Sequence, residues 1–409
     1  YVEGGRHVEV QVFGDTHGDV VHLFTRDCSA QRRHQKIVEE APAADLPDAV
    51  RDLLQSSSVA LSREVGYVSA GTVEFLVLGD EAYFLEMNTR LQVEHPVTEE
   101  VTGADLVLWQ LEVAAGAPLP SQDSLTCTGH AVEVRVYAED PYAGFLPQAG
   151  RIDAFVPGPG ARVEDAGLPE VSTAYDPMVA KLVVRGADRS DALDRTVDVL
   201  DGTVLAGLLN NLGFVRRLLD SPEFRSGAVH TGWLDAYEGP LLERPDVPEE
   251  AAAVAAAWLW PDVGDGWRSA GPAAEVRRPV VDALGTQHDV VGEAPEELAG
   301  VLQGRRAHVV SEGQTWTFER PDGMRRRHAA LAGDADVTTP MPGTVLDVRV
   351  AEGEHVEAGQ RLGTIEAMKM ELALTAAHGG TVSLVGASVG DQVPMGHVLF
   401  HVEPEASDD

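Results

Sequence analysis

Residues 342–366, PGTVLDVRVAEGEHVEAGQRLGTIE, align without a gap with residues 379–403, GGTVSLVGASVGDQVPMGHVLFHVE. At this offset of 37 residues nine of 25 positions agree, among them Gly343 and Gly380, Val345 and Val382, Gly353 and Gly390, and Leu362 and Leu399. Self-similarity at a fixed offset marks one structural unit used twice. Each copy alternates apolar and polar residues, as in Thr344-Val345-Leu346-Asp347-Val348 and Gln360-Arg361-Leu362-Gly363-Thr364-Ile365. Glu352-Gly353-Glu354 and Ala358-Gly359-Gln360 punctuate the runs as turns. The pattern predicts two β-rich copies packed with approximate two-fold symmetry into a small flattened barrel, the segment between them forming a hairpin tip.

That segment reads Glu366-Ala367-Met368-Lys369-Met370-Glu371. Only three lysines occur in the 409 residues, against 28 arginines. A guanidinium cannot do the work of a primary amine, so Lys369 reads as chemical rather than electrostatic. Residues 337–403, including Pro340-Met341-Pro342-Gly343, resemble the biotin carboxyl carrier domain. The resemblance implies that Lys369 is the biotin attachment site. Lipoyl carriers share the fold and also modify a hairpin lysine; the methionines flanking Lys369 favour biotin.

A second constellation lies upstream, Glu86-Met87-Asn88-Thr89-Arg90-Leu91-Gln92-Val93-Glu94-His95-Pro96. Side chains alternate faces along a strand, so an extended backbone predicts that Glu86, Asn88, Arg90, Gln92 and Glu94 share one side. Gly71–Leu78 and Glu81–Leu85 read as strands around a Gly79-Asp80 turn, which sets Glu74 opposite Glu86. Facing carboxylates repel by some tenths of a kcal/mol. A divalent cation removes the objection, and these oxygen donors with Asn88 nearby suit Mg²⁺ or Mn²⁺. A third run, Arg26–Lys36, concentrates Arg32, Arg33, His34 and Lys36 in a chain of net charge −35. Such a patch suits small anions, whereas the overall field disfavours a nucleic acid.

Together with Arg6–Gln11, Gly71–Glu74, Gly129–Arg135 and Tyr175–Lys181, these stretches closely resemble the ATP-grasp and C-terminal parts of biotin carboxylase over residues 1 to about 237. In that family bicarbonate attacks the γ-phosphate of ATP, and the resulting carboxyphosphate breaks down to CO₂, which carboxylates a ring nitrogen of biotin. The resemblance implies that Glu74, Glu86 and Asn88 hold the metal and that His7, Gln31 and His34 contact ATP. Lys36, Arg90, Gln92 and the Val93 backbone surround bicarbonate, and Arg90 also orients the reacting phosphate. Glu94 is the general base for bicarbonate, the released phosphate is the base for biotin, and Arg135 stabilises the developing enolate oxygen of biotin. The physics is that of phosphoryl transfer, dominated by positioning and charge neutralisation. Lys181 belongs to the pattern without an account of its role and reads as structural.

The expected fold class is α+β multidomain. Residues 1–125 form part of an ATP-grasp fold, 126–237 the biotin carboxylase C-terminal domain, 238–335 a helix plus β-rich middle domain and linker, 336–403 the biotinyl barrel and 404–409 an acidic tail. Within the middle, Glu249–Trp260 predicts a helix, and Glu275–Leu284, Gln287–Val291, Ala307–Ser311 and Thr315–Arg320 predict strands. The chain opens at Tyr1 inside the ATP-grasp module, which predicts a fragment of a longer polypeptide lacking the glycine-rich lid and inactive alone. The Arg162–Tyr175 loop is two residues shorter than usual, a change expected only to trim a surface turn. No run of 18 apolar residues occurs, and neither a membrane-spanning helix nor a signal peptide is expected. Cys28 and Cys127 give neither a disulfide framework nor a zinc pattern, which fits a cytoplasmic protein.

In the carboxylases these stretches resemble, a carboxyltransferase takes several hundred residues, so the resemblance implies none in the roughly 95 residues between the two recognisable parts. The order therefore resembles the α subunit of an acyl-CoA carboxylase, a C–N-forming, ATP-dependent ligase, which implies acetyl-CoA, propionyl-CoA or a similar acyl-CoA as acceptor. Its implied partners are a separate carboxyltransferase β subunit in a hetero-oligomer and a biotin protein ligase, with no membrane or nucleic acid. Two alternatives are a carrier and docking fragment without ATP turnover, and the α subunit of a carboxylase for urea or a branched enoyl-CoA.

Overall fold

Alternating residues in the first half of the chain build one antiparallel sheet. Its strands are β1 (Arg6–Gly14), β2 (Val20–Arg32), β3 (Gln35–Ala41), β4 (Ser69–Leu78), β5 (Glu81–Asn88), β6 (His130–Tyr137), β7 (Arg162–Asp165) and β8 (Met178–Gly186). The structure, a computed structural model, describes residues 2–172, 176–261, 277–283, 285–291, 298–321, 335–339, 343–367, 370–393 and 396–404, without the side chains of residues 367 and 370. Spatial order is β7-β8-β6-β3-β2-β1-β4-β5. The sheet thus runs unbroken across residues 125 and 126.

Strand periodicity sorts each side chain to a face. In β1, Val8, Val10 and Val12 are fully buried against Val50 and Leu54 of α1 (Asp48–Glu64), leaving His7, Glu9 and Gln11 for the opposite face. In β6, Val132, Val134 and Val136 join Leu182 and Val184 of β8. They pack under Leu193 and Leu200 of α3 (Arg189–Asp201) and Phe214 and Leu218 of α4 (Leu212–Asp220). Each such leucine, fully buried, contributes about 1.5–3 kcal/mol. Glu133 and Arg135 point the other way, toward α2 (His95–Thr102), whose Val97 and Val101 cover Ala131 and Val183.

Glu74 does stand opposite Glu86, but not by simple continuation of the turn. The Gly79-Asp80 loop pairs Leu78 with Glu81 and keeps that register to Phe75 with Phe84; a bulge at Leu85 then shifts the ladder and pairs Glu74 with Glu86. Gly79 supplies the positive φ of 59° that the loop needs. The strand expected through Glu94 ends at Asn88, after which residues 89–94 form an irregular turn into α2. Pro96 at the start of α2 suits a helix N-terminus better than a strand. Within the Arg162–Tyr175 stretch, Arg162–Asp165 is an edge strand of this sheet. Tyr175 lies outside the described residues.

The middle segment packs a helix, Glu249–Leu259, on a five-stranded sheet ordered 287–291, 277–282, 314–319, 306–311, 300–303. Small residues Ala251, Ala252, Ala255 and Ala256 let the helix approach Val280, Val309 and Phe318. The strand Gly300–Gln303 was not expected; four residues are too few to show a period.

In the C-terminal unit the two copies match strand for strand at the offset of 37. Gly343–Val348, His355–Val356 and Arg361–Ala367 recur as Gly380–Val385, Gln392–Val393 and Val398–Pro404. The bulge between Val345 and Asp347 recurs between Val382 and Leu384. The short strands are exchanged: His355–Val356 pairs with the second copy and Gln392–Val393 with the first. Val345, Leu362, Ile365, Val382, Leu399 and Val402 fill the space between the two four-stranded sheets. The ladder leading toward the tip is described up to the Ala367–Met370 pair. Lys369 itself lies outside the described residues, as do 405–409 of the expected acidic tail and most of the expected linker.

Candidate active site

The polar face of the large sheet gathers Glu9, Arg26, Lys36, Glu39, Glu74, Gln92, Glu94 and Arg135. At its base, fully buried Arg26 donates from Nε to Glu9 Oε1 at 2.5 Å and from Nη1 to Gln11 Oε1 at 2.7 Å and Thr98 Oγ1 at 3.0 Å. Its Nη2 donates to Thr72 Oγ1 and Gln92 Oε1, both at 3.2 Å. All five guanidinium donors are thereby satisfied, which is what a charge at zero exposure requires.

Above it, Lys36 Nζ donates to Glu9 Oε2 at 2.8 Å and to Glu94 Oε1, and lies 3.6 Å from Glu74 Oε1. Burial alone would raise the Glu9 and Glu74 carboxyls. Arg26 and Lys36 overcome this for Glu9, and the His7 hydrogen bond and Lys36 do so for Glu74, leaving both at about 2. Arg135 donates from Nε to Glu39 Oε1 at 2.6 Å and from Nη2 to Glu94 Oε2 at 3.1 Å. Both Glu94 oxygens therefore face cations. Behind Arg135, Glu39 Oε2 and both Glu133 oxygens are buried with no hydrogen-bond partner among the described residues. Burial, reinforced by Glu39, pushes the Glu133 carboxyl well above the usual carboxylate range.

The remaining expected residues fall as follows. His7 is buried, its Nε2 3.0 Å from Glu74 Oε2. Gln92 Nε2 donates to Glu74 Oε1 at 2.9 Å. Asn88 Nδ2 donates to Glu74 Oε1 at 3.0 Å and Glu86 Oε1 at 3.1 Å. Arg90, exposed, donates to Asn88 Oδ1 at 3.3 Å. Gln31 is buried at the mouth of the β2–β3 hairpin opposite Lys36. His34 is exposed on that hairpin's two-residue turn, where Arg33 and His34 adopt φ of 47° and 67°. Val93 contributes its backbone to the turn. Gln92 and Glu94 thus reach the site from a loop, not from the expected strand.

A metal fits the edge of this cluster. Glu74 and Glu86 lie in register, and the Asn88 side chain sits between them within hydrogen-bond distance of both, so rotating its amide presents a third oxygen. A second donor set, His7, Glu9 and Glu74, also lies within 4.8 Å, but Glu9 is already committed to Arg26 and Lys36. Sequence reasoning missed Glu9, Arg26 and Glu39 as members of the site. For Glu9 a signal existed: His7, Glu9 and Gln11 alternate with Val8, Val10 and Val12.

Comparison with known proteins agrees with the geometry. Residues 1–122 match the family described as carbamoyl-phosphate synthase L chain, ATP binding domain. Residues 133–236 match the biotin carboxylase C-terminal domain, and 335–402 the family described as biotin-requiring enzyme. The chain is 34% identical to the mitochondrial methylcrotonoyl-CoA carboxylase subunit alpha of Arabidopsis thaliana, over 98% of this chain and 68% of that one. It is 35% identical to the propionyl-CoA carboxylase alpha chain of Ruegeria pomeroyi, over 98% and 70%. The biotin carboxylase domain of Hydrogenobacter thermophilus 2-oxoglutarate carboxylase, solved with MgADP, ADP and bicarbonate, superposes with a TM-score of 0.58 at 40% identity. That match covers 60% of this chain and 55% of that one, so the chain spans about two thirds of these curated relatives and about half of the solved domain.

Proposed function

The chain belongs to the family of biotin-dependent acyl-CoA carboxylase α subunits, and from that premise we propose that it carboxylates biotin carried on Lys369, using ATP and bicarbonate. The observation that carries this reading is the meeting of Lys36, Gln92, Glu94 and Arg135 beside the Glu74–Glu86 pair, in one chain with a two-copy carrier unit.

Lys36 supplies the positive charge that draws bicarbonate, and Gln92, held by Arg26 and Glu74, orients it. Glu94 takes the proton of bicarbonate at a carboxylate oxygen as the anion attacks phosphorus. Arg90, on the exposed rim, is free to swing from Asn88 to the reacting phosphate. Arg135, fixed by Glu39 and Glu94, stabilises the ureido oxygen of biotin as it gains charge. Mg²⁺ or Mn²⁺, held by Glu74, Glu86 and Asn88, supplies charge neutralisation for the phosphates when bound. His7, Gln31 and His34 are assigned to ATP.

The carboxyl group then passes to propionyl-CoA, methylcrotonoyl-CoA or a similar acyl-CoA on a separate carboxyltransferase β subunit, and a biotin protein ligase loads Lys369. We place the protein in the cytoplasm, where Cys28, buried and free, and Cys127 stay reduced. Among the described residues no helix is long and apolar enough to cross a membrane.

The test is ATP cleavage dependent on both bicarbonate and free biotin, measured in the full-length polypeptide. Glu94→Gln is expected to abolish it while leaving nucleotide binding within two-fold, and undiminished turnover in that variant overturns the assignment.

A further inference from the structure

The turn from Gln92 to Glu94 contains two peptide planes, and each is gripped by a side chain that the scheme above leaves unused. The Gln92 carbonyl accepts from the His95 ring, Nδ1 at 2.7 Å, and from the His95 backbone N–H at 3.3 Å. A trans peptide points its N–H opposite to its C=O, so this grip aims the Val93 N–H away from His95. The Val93 carbonyl accepts from Lys181 Nζ at 2.6 Å, which fixes the next plane, the one that carries the Glu94 nitrogen.

Lys181 stands directly opposite Arg135 in the β6–β8 ladder. Arg135 holds the Glu94 carboxylate, so two cations on one rung hold consecutive residues of the turn, one by its backbone and one by its side chain. Like charges directly opposite are unfavourable, and the buried Lys181 ammonium is countered by Glu164 Oε2 at 2.6 Å on β7. Glu164 pairs with Arg162, and Arg162 reaches Glu99 Oε2 of α2 at 2.8 Å. The other Glu99 oxygen accepts from the Leu106 N–H at 2.7 Å, where the helix Leu106–Ala114 begins. The position of Nζ is therefore tied to β7, α2 and the helix after it.

We infer that Lys181 and His95 are positioning residues that lock the two peptide planes of the Gln92–Glu94 turn, and so set the direction from which the Val93 N–H and the Glu94 carboxylate meet bicarbonate. The inference rests on the reading that this turn receives bicarbonate. It gives the third lysine a role in the reaction that its ion pair with Glu164 does not by itself explain.

The experiment is titration of the full chain with ¹³C-bicarbonate, following line broadening by NMR, with nucleotide binding measured in parallel. Lys181→Met is expected to raise the bicarbonate dissociation constant about ten-fold or more, the loss of one charge-assisted hydrogen bond. MgADP affinity should stay within two-fold, and Lys181→Arg should recover part of the loss. Glu164→Gln removes the ion pair but leaves the Val93 bond, so its bicarbonate affinity should change far less. Should Lys181→Met fail to fold, His95→Leu loosens the other plane without touching the ion pairs and should weaken bicarbonate in the same selective way. Equal effects of Lys181→Met and Glu164→Gln, or parallel losses of bicarbonate and nucleotide, overturn the positioning role. No broadening by the wild-type chain removes the bicarbonate reading itself, and this inference with it.

Discussion

The polar face of the large sheet and the interior of the C-terminal unit are built from the same antiparallel ladders and filled in opposite ways. Between the carrier sheets lie Val345, Leu362, Ile365, Val382, Leu399 and Val402, and among the described residues of this unit the only buried polar ones are Thr339 and Thr364, neither ionisable. On the large sheet, fully buried positions hold Glu9, Arg26, Glu39 and Glu133. Apolar packing is non-directional, so the carrier tolerates being assembled from two similar copies. A buried charge needs partners at fixed distances and angles, so the polar face admits one arrangement and draws its members from β1, β2, β3, β4, β6 and the turn before α2. In the function proposed above, the C-terminal unit carries biotin and the polar face loads it.

The sharpest way to break this division is at Lys369. Lys369→Arg should abolish avidin-detectable labelling by biotin ligase altogether, whereas Glu94→Gln should label normally, and labelling that survives Lys369→Arg ends the carrier assignment. Next in size, Arg26→Met leaves Glu9 Oε1 and Gln92 Oε1 without the Arg26 donors and should cost about 3–5 kcal/mol in urea unfolding; a near-neutral result means the cluster tolerates apolar filling after all. In the carrier, the repeat mates Leu362 and Leu399 are both essentially unexposed. Leu362→Ala and Leu399→Ala should each cost about 2–4 kcal/mol, and clearly unequal calorimetric losses would break the two-fold symmetry.

The smallest effect concerns a buried acid beyond the catalytic cluster. Burial pushes Glu139 up to about 8, with Arg32 opposing and Asp176 adding. An acid whose folded pKa lies above its unfolded value of 4.5 is buried without penalty while protonated and penalised once ionised, so its contribution worsens as pH rises from 4.5 toward 8. Glu139→Gln should flatten that decline by about 1–3 kcal/mol at pH 8, read from urea midpoints between pH 5 and 8. A slope identical to wild type would show that Glu139 ionises in the folded state as freely as in water.

Legibility in the sequence followed the same division. The carrier could be read almost to the residue, because a repeat states its own register and each strand predicts its mate. Glu74 opposite Glu86 was also readable, since a hairpin is local; the Leu85 bulge that delivers the pairing was not, because nothing in Phe84-Leu85-Glu86 marks which residue is extra. The turn after Asn88 was misread as strand, the alternation of polar residues outweighing Pro96. Arg26 and Glu39 were beyond reach for a plainer reason. Their partners lie 15 to 96 residues away in the chain, and no local pattern encodes a distance across a sheet. The sequence shows no role for Lys181 in the site because the partner that ties it there is a backbone carbonyl, which leaves no trace in residue type.

The exchanged short strands carry a consequence for how the C-terminal unit came about and how it assembles. A single copy has both a short strand to donate and an open edge to receive one, so two free copies would complete each other as a swapped dimer. Joining them in one chain turns an encounter that depends on concentration into one that depends only on the length of the connection. It also makes closure mutual: neither sheet has its fourth strand until both copies are in place.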